Sequence, residues 1–244
     1  MNTSVQSMTA QRAVTAIARA ARATGVGFGY LLEQAKVESG LRPDAAARTS
    51  SARGLFQFVE GTWLATLKKH GAEHGLGWAA DLIESSGGRA RVRDGEARSA
   101  LLALRNDAET AALMAAEYAQ DNAEALGRRL GRAVGGTELY LAHFLGPAGA
   151  ARFLTAMAAN PDADAGAVVP SAARANVRVF RHADGTPKSL AEVYEHFARR
   201  FGGDGAVSAA PPPERSVQTA QAIGPVQARS LARAAYLVLA GMGA

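Results

Sequence analysis

A chain of 244 residues with 48% hydrophobic and 20% charged content is long enough to bury one or two cores and too apolar to be disordered throughout. Alanine is abundant, aromatics reach only 6% and β-branched runs are short, so propensity favours helix along nearly the whole length and an all-α fold. The lack of cysteine excludes disulfides, thiolate nucleophiles and cysteine-ligated zinc, while a formal charge of +5 favours acidic or polyanionic partners without naming one.

Between Thr9 and Arg22 the apolar positions Ala13, Val14, Ile17 and Ala21 recur at helical spacing, and TGVGFG closes that helix. Arg12, Arg19 and Arg22 interrupt any longer apolar run, so no secretory signal is recognisable; the residues ahead of Thr9 read as unstructured. A second helix is expected over Phe28–Ser39, ended by Gly40 and Pro43. RPDAAARTSSARG reads as irregular loop, and Gly61-Thr62-Trp63 opens a helix reaching Lys69. Residues 71–95, rich in glycine and charge, read as loop with one helical turn near Ala79–Ser85.

From Glu96 to Leu126 the series Leu101, Leu104, Ala108, Ala111, Met114, Ala115 and Tyr118 sustains a long helical period, with a break near Asn106 and Asp107. This is the expected central helix. Further helices are expected at Thr137–Leu145, Ala148–Ala158 and Ser189–Phe201, with Gly146 and Pro147 separating the first two. Residues 1–201 then form one multi-helix domain, 202–228 a flexible linker and 229–244 a short hydrophobic helix or tail. That tail, AAYLVLAGMGA, is too short to cross a bilayer, and no transmembrane span is expected.

One glutamate stands out. Leu31, Ala35 and Glu38 sit at i, i+4 and i+7, so Glu38 projects from the apolar face at the negative end of its helix. Desolvation and the helix dipole both favour the protonated acid, which is what general-acid cleavage of a glycosidic bond needs, because the leaving oxygen is a poor base. The plainer reading of the same residues is a carboxylate pointing to water at a helix end. Asp44, the nearest acid in the loop that follows, reads as a surface residue.

Other groupings carry less. The clusters Arg89, Arg91, Arg93 and Arg128, Arg129, Arg132 have no aromatic residues between them, so they read as solvated faces and nucleic acid is not an expected partner. His70, Glu73 and His74 have the spacing of a helical metal site, but Gly71 and Gly75 interrupt the helix and the HExxH order is absent. Neither a metal nor a cofactor is expected. Gly25-Val26-Gly27-Phe28-Gly29 follows no strand and is most simply a turn.

Glu38-Ser39, followed by Gly54-Leu55-Phe56-Gln57-Phe58 and then Gly61-Thr62-Trp63, resembles the ES…GLxQ…GT signature of the soluble lytic transglycosylases, a family with a lysozyme-like fold; the resemblance covers residues 10–160. It implies cleavage of the β-1,4 bond between N-acetylmuramic acid and N-acetylglucosamine of peptidoglycan, leaving a 1,6-anhydro end. Glu38 is then the single catalytic acid and base: it protonates the glycosidic oxygen and afterwards takes the proton of the C6 hydroxyl as that oxygen closes on C1. Since the sugar supplies its own nucleophile, the second carboxylate of hydrolytic glycosidases is not required.

The same resemblance implies substrate-binding roles for Ser39, Gln57 and Phe58, and for a loop hydroxyl that Thr49 or Ser50 could supply, the loop being longer than the usual pattern. Where the family often carries AYNAGP, this chain has Ala142-His143-Phe144-Leu145-Gly146-Pro147, which keeps Gly-Pro and replaces the tyrosine and asparagine. His143, Tyr140 one turn earlier, and Tyr118 beside Glu117 on the long helix are the candidates to line the cleft in their place. A goose-type hydrolytic muramidase and a non-catalytic peptidoglycan-binding scaffold are the alternative functions. The implied partners are peptidoglycan glycan strands and a secretion or flagellar machine that must open the wall. The implied location is the periplasm or cell envelope, reached by a route without a recognisable N-terminal signal.

Overall fold

The computed structural model of the chain describes residues 2–202, so all but the first residue of the linker expected over 202–228, and the C-terminal helix expected over 229–244, lie outside the described residues. The described part is mostly helical, and a two-stranded hairpin is the sheet found within it. The all-α expectation holds. The described residues divide into two compact units: 2–19 with Ala35–Glu117, and Ala20–Gln34 with 118–202.

Helix α1 (Asn2–Thr24) is longer than its apolar period, so residues 2–8 are helical rather than unstructured. Helix α2 (Phe28–Ser39) has the expected bounds. It ends where Gly40 (φ 63°) and Leu41 (φ 62°) turn left-handed, with the Gly40 N–H donating to the Lys36 carbonyl at 3.0 Å. Helix α3 (Glu60–His70) begins one residue before the Gly-Thr-Trp run. A 3₁₀ turn (Gly71–His74) and helix α4 (Gly77–Asp81) follow.

Strands β1 (Glu84–Ser86) and β2 (Arg89–Arg91) then pair antiparallel, Ser85 opposite Ala90. The sequence reading did not expect this hairpin, because both strands lie at the surface and lack the alternation of a half-buried strand. The available signal was Gly87-Gly88, whose φ values of 57° and 75° are those a two-residue hairpin turn demands.

Helix α5 (Gly95–Ala103) is capped by Asp94, whose carboxylate accepts from the Ala97 N–H at 2.7 Å. A 3₁₀ turn (Leu104–Asn106) makes the expected break, and helix α6 (Ala108–Leu130) starts under Asp107, which accepts from the Thr110 N–H at 2.8 Å. In the first unit the fully buried side chains include Ile17, Leu55, Trp63, Leu64, Leu67, Ile83, Leu101 and Met114. Each large apolar side chain so buried contributes about 1.5–3 kcal/mol before entropy is counted.

In the second unit, helix α7 (Gly136–Ala159) joins the two helices expected there, with a kink at Gly146 (φ 71°, ψ 155°) ahead of Pro147. The proline has no N–H to continue the ladder, and glycine alone takes that positive φ cheaply. Helices α8 (Ala165–Val168), α9 (Pro170–Ala175) and α10 (Val177–Phe180) are too short for a period to register in sequence. Helix α11 (Leu190–Phe201) opens with a capping box: the Ser189 hydroxyl accepts from the Glu192 N–H, and the Glu192 carboxylate accepts from the Ser189 N–H. Its buried stripe Leu190, Val193, Phe197 and Phe201 packs on α7, where Phe201 stacks on Tyr140 at 4.0 Å between ring centres.

Candidate functional site

The segment from Arg42 to Val59 is held as a compact loop by its own backbone. Gly54 N–H donates to the Ala45 carbonyl at 2.8 Å, Ala47 N–H to Ala52 at 3.1 Å and Arg53 N–H to Phe58 at 3.2 Å. Gly54 is required twice over: its φ is 81°, and a methyl group there would drive into the backbone carbonyl of Arg105. That carbonyl belongs to a residue whose side chain also serves the loop. The buried Arg105 guanidinium donates through Nη1 to the carbonyls of Ser51 (2.7 Å) and Phe58 (3.0 Å), and through Nε to Leu102 (2.9 Å). Burial pulls the Arg105 guanidinium below its ordinary value, with Glu60 acting in the opposite direction.

Glu38 occupies the last turn of α2 and is half-buried. Ser39 beside it is 4% exposed, with its hydroxyl 2.8 Å from the Leu55 carbonyl and 3.0 Å from the Ala35 carbonyl, and accepting from the Arg42 N–H. The end of α2 is thereby tied to the Gly-Leu-Phe-Gln run. Gln57 sits at φ 47°, and its amide Nε2 donates to the carbonyls of Ala45 (3.1 Å) and Gly54 (2.9 Å). The nitrogen of the amide is spent on the loop, so Oε1 is the atom through which Gln57 can address a ligand.

Two residues expected to bind substrate are buried. Ser39 is enclosed with its hydroxyl committed to backbone groups, and Phe58, 6% exposed, packs edge-on against Trp63 at 5.2 Å. Trp63 is itself fully buried and donates its indole N–H to the Leu101 carbonyl at 2.8 Å. Thr49 and Ser50 are exposed, and the Ser50 hydroxyl accepts from the Ala52 N–H at 3.3 Å. The first unit thus brings together Glu38, Ser39, Thr49, Ser50, Gln57 and Phe58 on one helix end and one loop.

The remaining expected residues form a cluster in the second unit. His143 lies near Tyr118 (6.2 Å, edge-on) and Tyr140 (5.7 Å), and its Nδ1 is 3.3 Å from Gln34 Nε2. Tyr140, 6% exposed, is part of the aromatic stack with Phe197 and Phe201. Glu117 turns out buried, between His70 and His74 of the first unit.

No protein-family model matches this chain. The assignment of chemistry therefore rests on the residues themselves.

Sequence reasoning missed a concavity of about 340 Å³ in the second unit, lined by His182, Lys188, Glu192, Glu195, His196 and Arg199. Its signal was the polar face of α11, where Glu192, Glu195, His196 and Arg199 recur at helical spacing. Burial first, then Lys188, Arg199 and Arg200, hold the His196 imidazole below its ordinary value. The arginine clusters have local partners: Arg93 donates to Glu84 at 2.9 Å, Arg128 lies 3.5 Å from Glu124, and Arg132 forks onto the buried Glu138.

Proposed function

We propose that the protein is a peptidoglycan lytic transglycosylase in which Glu38 is the sole acid and base. The observation that carries this reading is the Ser39–Leu55 tie, which holds the end of α2 bearing Glu38 against the loop bearing Gln57. A single carboxyl group suffices because the muramyl sugar closes its C1 with its own C6 hydroxyl. Glu38 donates its proton to the glycosidic oxygen, the C1–O bond breaks as positive charge develops on the muramyl ring, and the C6 oxygen attacks C1 while its proton returns to Glu38. The anhydro end contains no added water. Gln57 Oε1 is suited to accept from an acetamido N–H of the glycan, and Thr49 or Ser50 at the exposed rim can supply a hydroxyl.

The wall is the substrate in this reading, so the protein works in the periplasm or envelope beside a machine that needs a gap in the glycan. No helix among the described residues is long and apolar enough to cross a membrane. The test is digestion of purified sacculi with the full chain and with Glu38→Gln, followed by mass spectrometry. Anhydromuropeptides from the wild type alone are expected. Products heavier by one water would replace this reading with a hydrolytic muramidase, and sacculus binding without product would replace it with a scaffold.

A further inference from the structure

Outside that site the first unit holds a second grouping of chemically capable side chains. Helix α3 ends on His70, the following 3₁₀ turn carries Glu73 and His74, and α6 brings Glu117 to them from far along the chain. His70 Nδ1 lies 3.3 Å from Glu117 Oε2, and His74 Nε2 lies 2.7 Å from Glu117 Oε1. One donor atom from each of His70, Glu73 and Glu117 falls within 4.8 Å of the others. The side chains of Glu117, His70 and His74 are only 8%, 10% and 14% exposed, whereas Glu73 is exposed.

A carboxylate this deeply enclosed is stabilised by a cation, and a divalent ion held by these donor atoms would supply that charge. Its ligands at about 2.0–2.2 Å would lie roughly 3.4 Å apart in a tetrahedron, which small side-chain rotations reach from the observed spacing. We propose that His70 Nδ1, Glu73 and Glu117 bind a divalent first-row ion of the Zn²⁺ type, with His74 donating its Nε2–H to Glu117 and so orienting the ligating carboxylate. The fourth position faces solvent beside Glu73 and takes water. The ion staples the end of α3 to α6. The spacing argument against a helical site does not apply, because only His70 is supplied by α3 and the decisive third ligand comes from another helix.

This inference is independent of the wall-cleaving reading. The test uses the full chain, stripped with chelator and titrated with ZnCl₂ by calorimetry, with melting followed in parallel. One ion per chain is expected, with a rise in Tm of about 5–10 °C at a hundredfold excess over Kd. Glu73→Gln should weaken binding at least tenfold, Glu73 being the exposed ligand of the set. Glu117→Gln should lose the ion altogether, and His182→Ala, on the α11 concavity, should bind as the wild type does. A stoichiometric ion that Glu73→Gln holds as tightly overturns the ligand set, and a wild-type chain that takes up no ion or gains no Tm overturns the site.

Discussion

The hydroxyl of Ser39 sits 2.8 Å from the carbonyl of Leu55, sixteen residues further on, and joins the last turn of α2 to the loop that carries Gln57. The serine beside the glutamate therefore serves chiefly to set where the glutamate is.

Ser39→Ala should cost about 1–2 kcal/mol, because two buried carbonyls and the part-buried Arg42 N–H lose their hydroxyl partner. Glycan cleavage should fall further than stability alone explains, through kcat more than KM. Urea unfolding paired with steady-state kinetics on soluble muropeptide chains reads both quantities; an unaltered kcat in a destabilised variant would show that the tie has no bearing on catalysis.

Gly54 and Gly25 have nearly the same backbone, φ 81° and 80°, but different surroundings. A methyl group on Gly25 meets open space, so Gly25→Ala should cost about 1 kcal/mol from conformation alone. On Gly54 the methyl group meets the Arg105 carbonyl as well, and Gly54→Ala should cost at least about 2 kcal/mol more. Equal losses in denaturant melts would contradict the close approach.

Arg105 supplies a planar fork to carbonyls on both sides of the loop and to its own 3₁₀ turn. Arg105→Met should destabilise the chain by about 3 kcal/mol, and Arg105→Lys should recover only part, since an ammonium cannot reproduce the fork. Hydrogen exchange at Arg53 and Gly54 amides offers the local readout. Complete rescue by lysine would show that charge matters there and geometry does not.

Gln57 donates to two carbonyls and cannot be replaced by its isostere. Gln57→Glu would face a carboxylate against the carbonyls of Ala45 and Gly54, at a cost of about 2 kcal/mol, against about 1 kcal/mol for Gln57→Ala. Thermal melts at neutral pH should rank the glutamate variant below the alanine variant; the reverse order would place the amide nitrogen elsewhere.

His196 in the folded chain binds its proton less readily than in the unfolded chain, through burial and then Lys188, Arg199 and Arg200. With the folded value lowered, the unfolded state holds more protons between that value and about 6.5, so stability rises with pH across that window and is lost on acidification. His196→Gln should flatten that part of a Tm-against-pH curve. An unchanged slope would mean other groups set it.

The helices were legible because a period is a local property. Ala111, Met114, Ala115 and Tyr118 recur at helical spacing along α6 whatever they pack against, and Gly146-Pro147 interrupts a ladder in any fold. Glu38 could be singled out by type and spacing, and Gln57 only through the resemblance of its Gly-Leu-Phe-Gln motif. The surface hairpin escaped, since exposed strands carry no alternation and only Gly87-Gly88 marked them.

Sequence by itself determined that the chain is helical, where its helices break, and which acid stands at the end of an apolar face. Tertiary structure decided what each polar side chain is for. Ser39 and Phe58 are supports rather than exposed contacts, Arg105 governs a loop about fifty residues before it, and Glu117 meets His70 and His74. The physical reason is range: periodicity and capping act within a few residues, whereas burial and hydrogen-bond satisfaction depend on which distant backbone arrives, and no local pattern encodes that.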